Sequence, residues 1–348
     1  MALVAVATLG GIVGWNVLNG REDVPNAAMP TQTGSSVASE VSELSKPSVA
    51  TEPAVTALPD LSDYVWKAIA SVVGKSVGNE KDGNVLMADV VLLPDGTYRM
   101  YYNAGGKGTG SIKFANSVNG DTWTAGGTAL QGGSSPTDDD YIIGGSRVLQ
   151  LKDGSYRMYY RATPEHEGSI PSYSVYMAQS DDGKTFTKYG VVIPNTREDA
   201  ASTLVLAGHG AFYQMEDETF AGFVSGNAVA SNSVPSDLFF TTSADGVSWK
   251  TPTVAYVGYH DPTVVKTSDG YFLLAMYLKK WVGIGFSADG IDWSVALEPV
   301  ELLGTDGKTA DLQPIGDLST VVAPDGSLLL FSNYGNPGDR SIMRYVQQ

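Results

Sequence analysis

A strand–turn–strand segment recurs five times along this chain, and recurrence of that kind leaves few folds open. The two clearest copies are Asp89-Val-Val-Leu-Leu-Pro-Asp-Gly-Thr-Tyr-Arg-Met-Tyr-Tyr102 and Arg147-Val-Leu-Gln-Leu-Lys-Asp-Gly-Ser-Tyr-Arg-Met-Tyr-Tyr160. Weaker copies run through 212–224, 263–277 and 319–331. The turns centre on Asp95, Asp153, Asp217, Asp269 and Asp325, with gaps of 58, 64, 52 and 56 residues. A gap of that size holds about four short strands and their loops. Asp-Gly suits a tight turn because glycine takes positive φ at little steric cost. The flanking Val, Leu, Tyr and Met fit buried or half-buried strands. Repeats at this period stack or close radially instead of forming separate domains.

A second motif follows in phase: Ser117-x-Asn119-Gly-x-x-Trp123, Ser180-x-Asp182-Gly-x-x-Phe186, Ser243-x-Asp245-Gly-x-x-Trp249 and Ser287-x-Asp289-Gly-x-x-Trp293. Its Ser and Asp side chains can bond nearby backbone N–H groups, and its aromatic can fill the space between neighbouring sheets. These turns read as structural staples. The fifth repeat lacks this half and the chain ends at 341–348, while an unpaired strand-like segment, 64–73, precedes the first repeat. The N-terminal segment is therefore expected to supply the outer strand of the last repeat and close the ring, removing an edge that would invite aggregation. The expected fold is all-β, a five-bladed propeller of four-stranded antiparallel blades over 61–348.

Residues 2–18 are almost wholly apolar, and 25–59 are rich in Ser, Thr, Ala, Val and Pro. The first stretch reads as a signal or anchor segment (1–20) and the second as a disordered spacer (21–60). Together they predict an exported protein, secreted or held at the cell surface, whose N-terminus contacts the membrane. There is no cysteine, so disulfides and thiol chemistry are excluded. The net charge of −16 argues against nucleic acid, whose phosphates require clustered Lys and Arg.

The tight turns fall on one face of such a ring, so the longer loops fall on the other, where binding and chemistry usually sit. All three histidines, His166, His209 and His260, map there. The residue eight before each turn aspartate opens an inner strand near the axis. Round the ring these are Met87, Gly145, His209, Asp261 and Asp317. Two carboxyls and an imidazole at one axis can do acid–base work or hold a cation such as calcium. Asp89, two residues after Met87, is expected on the same side of its strand. Arg147 is its counterpart in the second blade, and the two are alternatively an inter-blade ion pair. Tyr141, Tyr173, Tyr259, Trp281 and Tyr334 are placed to stack on sugar faces.

The repeated strand pair with Ser-x-Asp-Gly-x-x-Trp resembles the five-bladed propeller glycosidases: arabinanases, xylosidases and invertase-like fructosidases. The resemblance spans about 62–348. It implies carbohydrate chemistry at the axis, a glycan or small sugar as ligand and a monomer. It also implies three carboxyl groups opening blades one to three. The matching positions are Met87, Gly145 and His209, and none is a carboxylate. Asp89, His209 and Asp261 are the expected catalytic set. Arg147, Tyr141, His166, Tyr259, His260, Asp317, Trp281 and Tyr334 are the expected substrate contacts. The staples are also similar to the Asp boxes of sialidases, which carry one more residue between Asp and Gly. Hydrolase, sialidase-like exo-glycosidase and non-catalytic glycan-binding propeller all remain open from the sequence.

Overall fold

The computed structural model describes 61–348 except 62–63, 74–84, 105–109, 136, 139, 165–172, 196–204, 228–236, 279, 294–295, 313–314 and 336–339. The signal or anchor segment, the spacer and His166 lie outside the described residues. Strand β1 (Val65–Val73) comes first. Blade one follows as β2 (Val85–Leu92), β3 (Tyr98–Ala104), β4 (Ser111–Ser117) and β5 (Thr124–Gln131). Blade two is β6 (Ile142–Gln150), β7 (Tyr156–Thr163), β8 (Ser174–Ser180) and β9 (Thr187–Ile193). Blade three is β10 (Val205–Gln214), β11 (Phe220–Asn227), β12 (Asp237–Ser243) and β13 (Thr253–Val257). Blade four is β14 (Tyr259–Lys266), β15 (Tyr271–Tyr277), β16 (Trp281–Ser287) and β17 (Glu298–Leu303). Blade five is β18 (Gly316–Val322), β19 (Leu328–Tyr334) and β20 (Ser341–Gln347), completed by β1.

Closure is as expected and goes one step further. β1 pairs antiparallel with β20, from Trp66 opposite Gln347 to Val73 opposite Ile342. It also runs parallel to β17 over Val65–Lys67, so blades four and five share one eight-stranded sheet. The inner strands β2, β6, β10, β14 and β18 neighbour one another in that order, and β18 meets β2.

Local chemistry explains the hairpins. In blade one, Gly96 N–H donates to the Leu93 carbonyl, Pro94 and Asp95 form the turn, and Gly96 takes φ 80°. The Asp95 carboxylate accepts from the Thr97 N–H (3.0 Å) and hydroxyl (2.6 Å). Asp153, Asp217 and Asp325 repeat this with Ser155, Thr219 and Ser327. In the staples, the Ser oxygen accepts from the Gly N–H two residues past its neighbour, as in Ser243 and Gly246 (2.9 Å). Tyrosines of the preceding blade reach across to the same glycines: Tyr101 donates to the Gly183 carbonyl, Tyr159 to Gly246 and Tyr213 to Gly290, at 2.6–2.7 Å.

Among the described residues the core is correspondingly divided into five apolar clusters, one at each blade interface. Staple aromatics sit in them: Trp123 meets Phe331 edge-on, Phe186 meets Tyr101, and Trp293 meets Phe223. Each fully buried Leu, Phe or Met contributes roughly 1.5–3 kcal/mol. Packing between blades, more than pairing within them, therefore holds the inner strands in their ring.

Candidate active site at the axial mouth

Every inner strand slips register where it leaves the mouth. The pairing shifts between Leu86 and Asp89, Gly144 and Arg147, Leu206 and Gly210, His260 and Thr263, and Gly316 and Ser319. These are β-bulges, and bulges re-aim side chains at sheet edges and active sites. The residues eight before the turn aspartates sit in them. Met87, Gly145, Asp261 and Asp317 take φ of 58°, 59°, 52° and 48°. For a non-glycine residue that left-handed conformation costs roughly 1–2 kcal/mol, so the surrounding structure must hold it.

Side chains from the adjacent blade do so. Gly145 N–H donates to Asn103 Oδ1 (3.0 Å), Asp261 N–H to Ser225 Oγ (3.1 Å) and Met87 N–H to Asn333 Oδ1 (2.8 Å). Asp317 N–H instead donates to Asp261 Oδ2 (3.3 Å). His209 is the one member of the set without a positive φ.

Three of the five converge. His209 Nδ1 lies 3.1 Å from Asp317 Oδ1 and 3.9 Å from Asp261 Oδ1. His260 Nδ1 is 3.1 Å from Asp261 Oδ2. Asn333 Nδ2 donates to Asp317 Oδ2. Burial, and then the Asp261 charge, push the Asp317 carboxyl up to about 7, against the pull of Arg161, Arg147 and Arg340. Burial also pushes on Asp261, but the hydrogen bonds from His260 and the Asp317 N–H hold its carboxyl well below the usual range. Burial and the Arg161 charge lower His209 to about 3. Near neutral pH the cluster thus holds a carboxyl close to its midpoint of titration, a neutral imidazole and an ionised carboxylate in mutual contact. Environments that separate the pKa values of neighbouring groups are how one site obtains both acid and base.

One ligand atom each of His209, Asp261 and Asp317 lie within 4.8 Å of one another, so the three can also hold a cation. Two carboxylates and an imidazole leave most of a calcium shell to water or substrate. Binding would release the Asp317 proton.

Asp89 and Arg147 do not join this cluster. The bulge after Met87 breaks the two-residue alternation, so Asp89 drops one layer deeper. There its Oδ1 faces Arg147 Nη1 at 3.6 Å and its Oδ2 accepts from Val148 N–H at 2.6 Å. Arg147 donates to carbonyls of three blades: Ala88 (3.5 Å), Pro262 (3.1 Å) and Leu318 (2.6 Å). Both residues line a cavity of about 500 Å³ formed by all five inner strands towards the turn face. Burial raises Asp89 to about 6 despite Arg147. The inter-blade ion pair is the alternative that the geometry matches.

The aromatic candidates divide. Trp281 stacks on Tyr277 at 4.3 Å and 15° at the mouth end of blade four, and Tyr334, next to Asn333, is 42 % exposed. Tyr259 packs against Tyr256 and Tyr277 and donates to the Leu297 carbonyl, away from the cluster. Tyr141 closes a turn with Asp138 and has no contact with the cluster among the described residues. Residues not singled out from the sequence are Arg161, Asn103, Ser225 and Asn333. All four stand eight residues after a turn aspartate. The repeat register that located Asp261 and Asp317 also locates them, when read on the second strand.

No family profile matches the chain, and no curated protein matches it by sequence. Solved structures do. A family 117 glycoside hydrolase from the marine bacterium Zobellia galactanivorans superposes with TM-score 0.61 at 16% identity, covering 82% of this chain and 90% of that one. An α-L-arabinofuranosidase from Lactobacillus brevis gives 0.57 at 13% identity, covering 80% and 92%. A family 43 β-1,3-galactosidase solved with galactodeoxynojirimycin gives 0.57 at 14%, covering 79% and 94%. The chain has the five-bladed propeller fold of these glycoside hydrolases.

Proposed function

We propose that the protein hydrolyses glycosidic bonds of terminal or short glycans, with His209, Asp261 and Asp317 as its acid–base set. The observation that carries this reading is the convergence at the mouth of two carboxyls on one imidazole, His209 Nδ1 standing 3.1 Å from Asp317 and 3.9 Å from Asp261, with the Asp317 carboxyl pushed up and that of Asp261 held down. Glycoside hydrolysis needs a proton for the leaving oxygen and negative charge near the cationic sugar. The cluster atoms lie within 4.8 Å, closer than the roughly 5–5.5 Å of a retaining carboxyl pair. Both carboxyls therefore meet the sugar from one side. Asp317 protonates the leaving oxygen, Asp261 stabilises the developing positive charge, His209 orients Asp317, and water attacks from the open mouth and returns the proton it sheds to the Asp317 carboxylate. The structural neighbours named above, all glycoside hydrolases, support the same chemistry.

One observation favours a second reading, a glycan-binding propeller without turnover. Met87 and Gly145 occupy two of the positions where the resembled enzymes carry carboxylates. Sugar release from a panel of aryl glycosides decides between them. Asp317→Asn and Asp261→Asn should each lower kcat by about 10²–10⁴-fold, the usual contribution of a positioned acid or base. No release by the wild type from any substrate favours the binding module, and release unchanged in both variants removes the cluster from the chemistry. Export of the protein is proposed on the apolar 2–18 segment and the spacer-like composition after it. Labelling of intact cells with a membrane-impermeant reagent tests it, and a protein that stays unlabelled until lysis refutes it.

A further inference from the structure

The second strand of each blade ends at the mouth on one register position: Asn103, Arg161, Ser225, Met276 and Asn333. In three blades this residue accepts a hydrogen bond from the bulge N–H of the next blade. Arginine has no acceptor atom and cannot do this. Arg161 is thus released from the structural duty of its counterparts, and the bulge it would have capped, at His209, is the one without left-handed backbone.

What Arg161 does instead is lie across the mouth. Its guanidinium stacks on the Tyr173 ring at 4.5 Å, and its stem packs beside Gly145, where a side chain would meet both Arg161 Cδ and the His209 ring. Its one polar contact among the described residues is Nη2 to Met87 Sδ at 3.4 Å, a weak acceptor. Its charge is felt at Asp317 and His209, yet it forms no ion pair with either aspartate among the described residues. Arg340 adds a second positive charge near Asp317. Cations concentrated at the axis of a chain with net charge −16 are not explained by solubility.

We infer that the mouth takes a sugar bearing an anionic substituent, a carboxylate or a sulfate ester, and that Arg161 is the residue that reads it. The inference rests on the sugar-directed reading above and names its substrate class. A planar guanidinium held by an aromatic face, whose N–H groups meet no oxygen acceptor among the described residues, offers two parallel hydrogen bonds to a carboxylate or sulfate. The neutral-sugar counterpart leaves those donors unpaired. Met87 and Tyr173 hold the fork in place, which limits the entropy lost when the anion docks.

The test is direct binding by the full chain, without reference to turnover. Glucuronate, galacturonate and galactose 6-sulfate are titrated against glucose and galactose by ligand-observed NMR, at low and high salt. Wild type is expected to prefer at least one anionic sugar by about tenfold or more, with the preference shrinking in salt. In Arg161→Gln the anionic-to-neutral ratio should fall towards one. In Arg161→Lys part of it should return, since the charge is kept and the fork is lost. Melting temperatures establish that each variant is folded. No preference in the wild type, no binding of any of these sugars, or a preference unchanged in folded Arg161→Gln overturns the inference. The arms separate carboxylate from sulfate. They also separate this inference from hydrolysis: release of neutral sugars without anionic preference defeats it alone, whereas anionic preference without release defeats the hydrolase reading alone.

Discussion

Asp89, buried, and Asp317, part-buried, are both carboxyls near the propeller axis with pKa values raised mainly by loss of solvent, yet they sit in opposite kinds of company. Asp89 lies in a lower layer where the Arg147 guanidinium reaches the carbonyls of three blades and the Val148 N–H closes on the carboxylate. Asp317 lies in an upper layer whose partners, His209 and Asp261, are themselves titratable. The lower layer ties charges to backbone, which does not change protonation. The upper layer ties charges to one another, so a proton can move within it. Depth along the same inner strands separates a structural plug from a reactive mouth.

The largest stability effect is expected in the lower layer. Arg147→Met strips the donors from the Ala88, Pro262 and Leu318 carbonyls and leaves Asp89 without its cation. Removing one partner of a buried pair costs about 3–5 kcal/mol, measurable by denaturant unfolding. Sugar release or binding per folded molecule should stay within a fewfold of wild type. A loss as large as that of Asp317→Asn would erase the distinction between the layers and restore Arg147 as a substrate contact.

The upper layer should instead show itself in pH. Asp317 has a folded pKa of about 7, against 3.8 for the ordinary carboxyl. Below 3.8 it is protonated folded and unfolded. As pH rises towards 7, only the unfolded chain releases the proton, so stability from this group is progressively lost. Asp317→Asn removes that loss, and relative to wild type the variant should gain up to about 4 kcal/mol between pH 4 and 8, at about 1.4 kcal/mol per pKa unit. His209 works in the opposite direction in both proteins. Lowered to about 3, it contributes stability above pH 6.5 that is lost as pH falls. Asp89, raised to about 6, shares the sign of Asp317 and also remains in both. Parallel stability–pH curves for wild type and Asp317→Asn would mean that Asp317 is ionised throughout and cannot be the acid.

The two layers also mark where sequence reasoning succeeds. The blades, hairpins and staples are legible because their bonds are local: Asp95 to Thr97 and Ser243 to Gly246 are two and three residues apart. Ring closure by 65–73 is legible because its length and pattern match a missing outer strand. The convergence of His209, Asp261 and Asp317 follows from repeat register alone. Simple alternation places Asp89 at the mouth, but an extra bulge residue defeats that alternation, and no residue type announces the bulge at Met87. Arg161 is hidden for a different reason. Beside Tyr159 and Tyr160 it reads as an ordinary strand arginine, and it acquires meaning only when Asn103, Ser225 and Asn333 are seen capping the neighbouring bulges.

The bulge that separates the layers provides the smallest and most pointed prediction. Gly145 takes φ 59°, and a Cβ there would stand 3.3 Å from His209 Nδ1 and 3.6 Å from Arg161 Cδ. Gly145→Ala therefore carries a left-handed penalty of roughly 1–2 kcal/mol and presses on both side chains. Met87, Asp261 and Asp317 already tolerate that backbone with side chains present, so the fold should survive with a modest drop in unfolding free energy. The effect on the mouth should exceed the effect on stability, because His209 must shift by a few tenths of an ångström against Asp317. Sugar release, or sugar binding if there is no turnover, should fall by more than the stability loss predicts, while the Arg147–Asp89 layer is untouched. A variant that loses stability but keeps full activity or affinity would show that the position of His209 is not critical and would shift the chemistry onto the two aspartates.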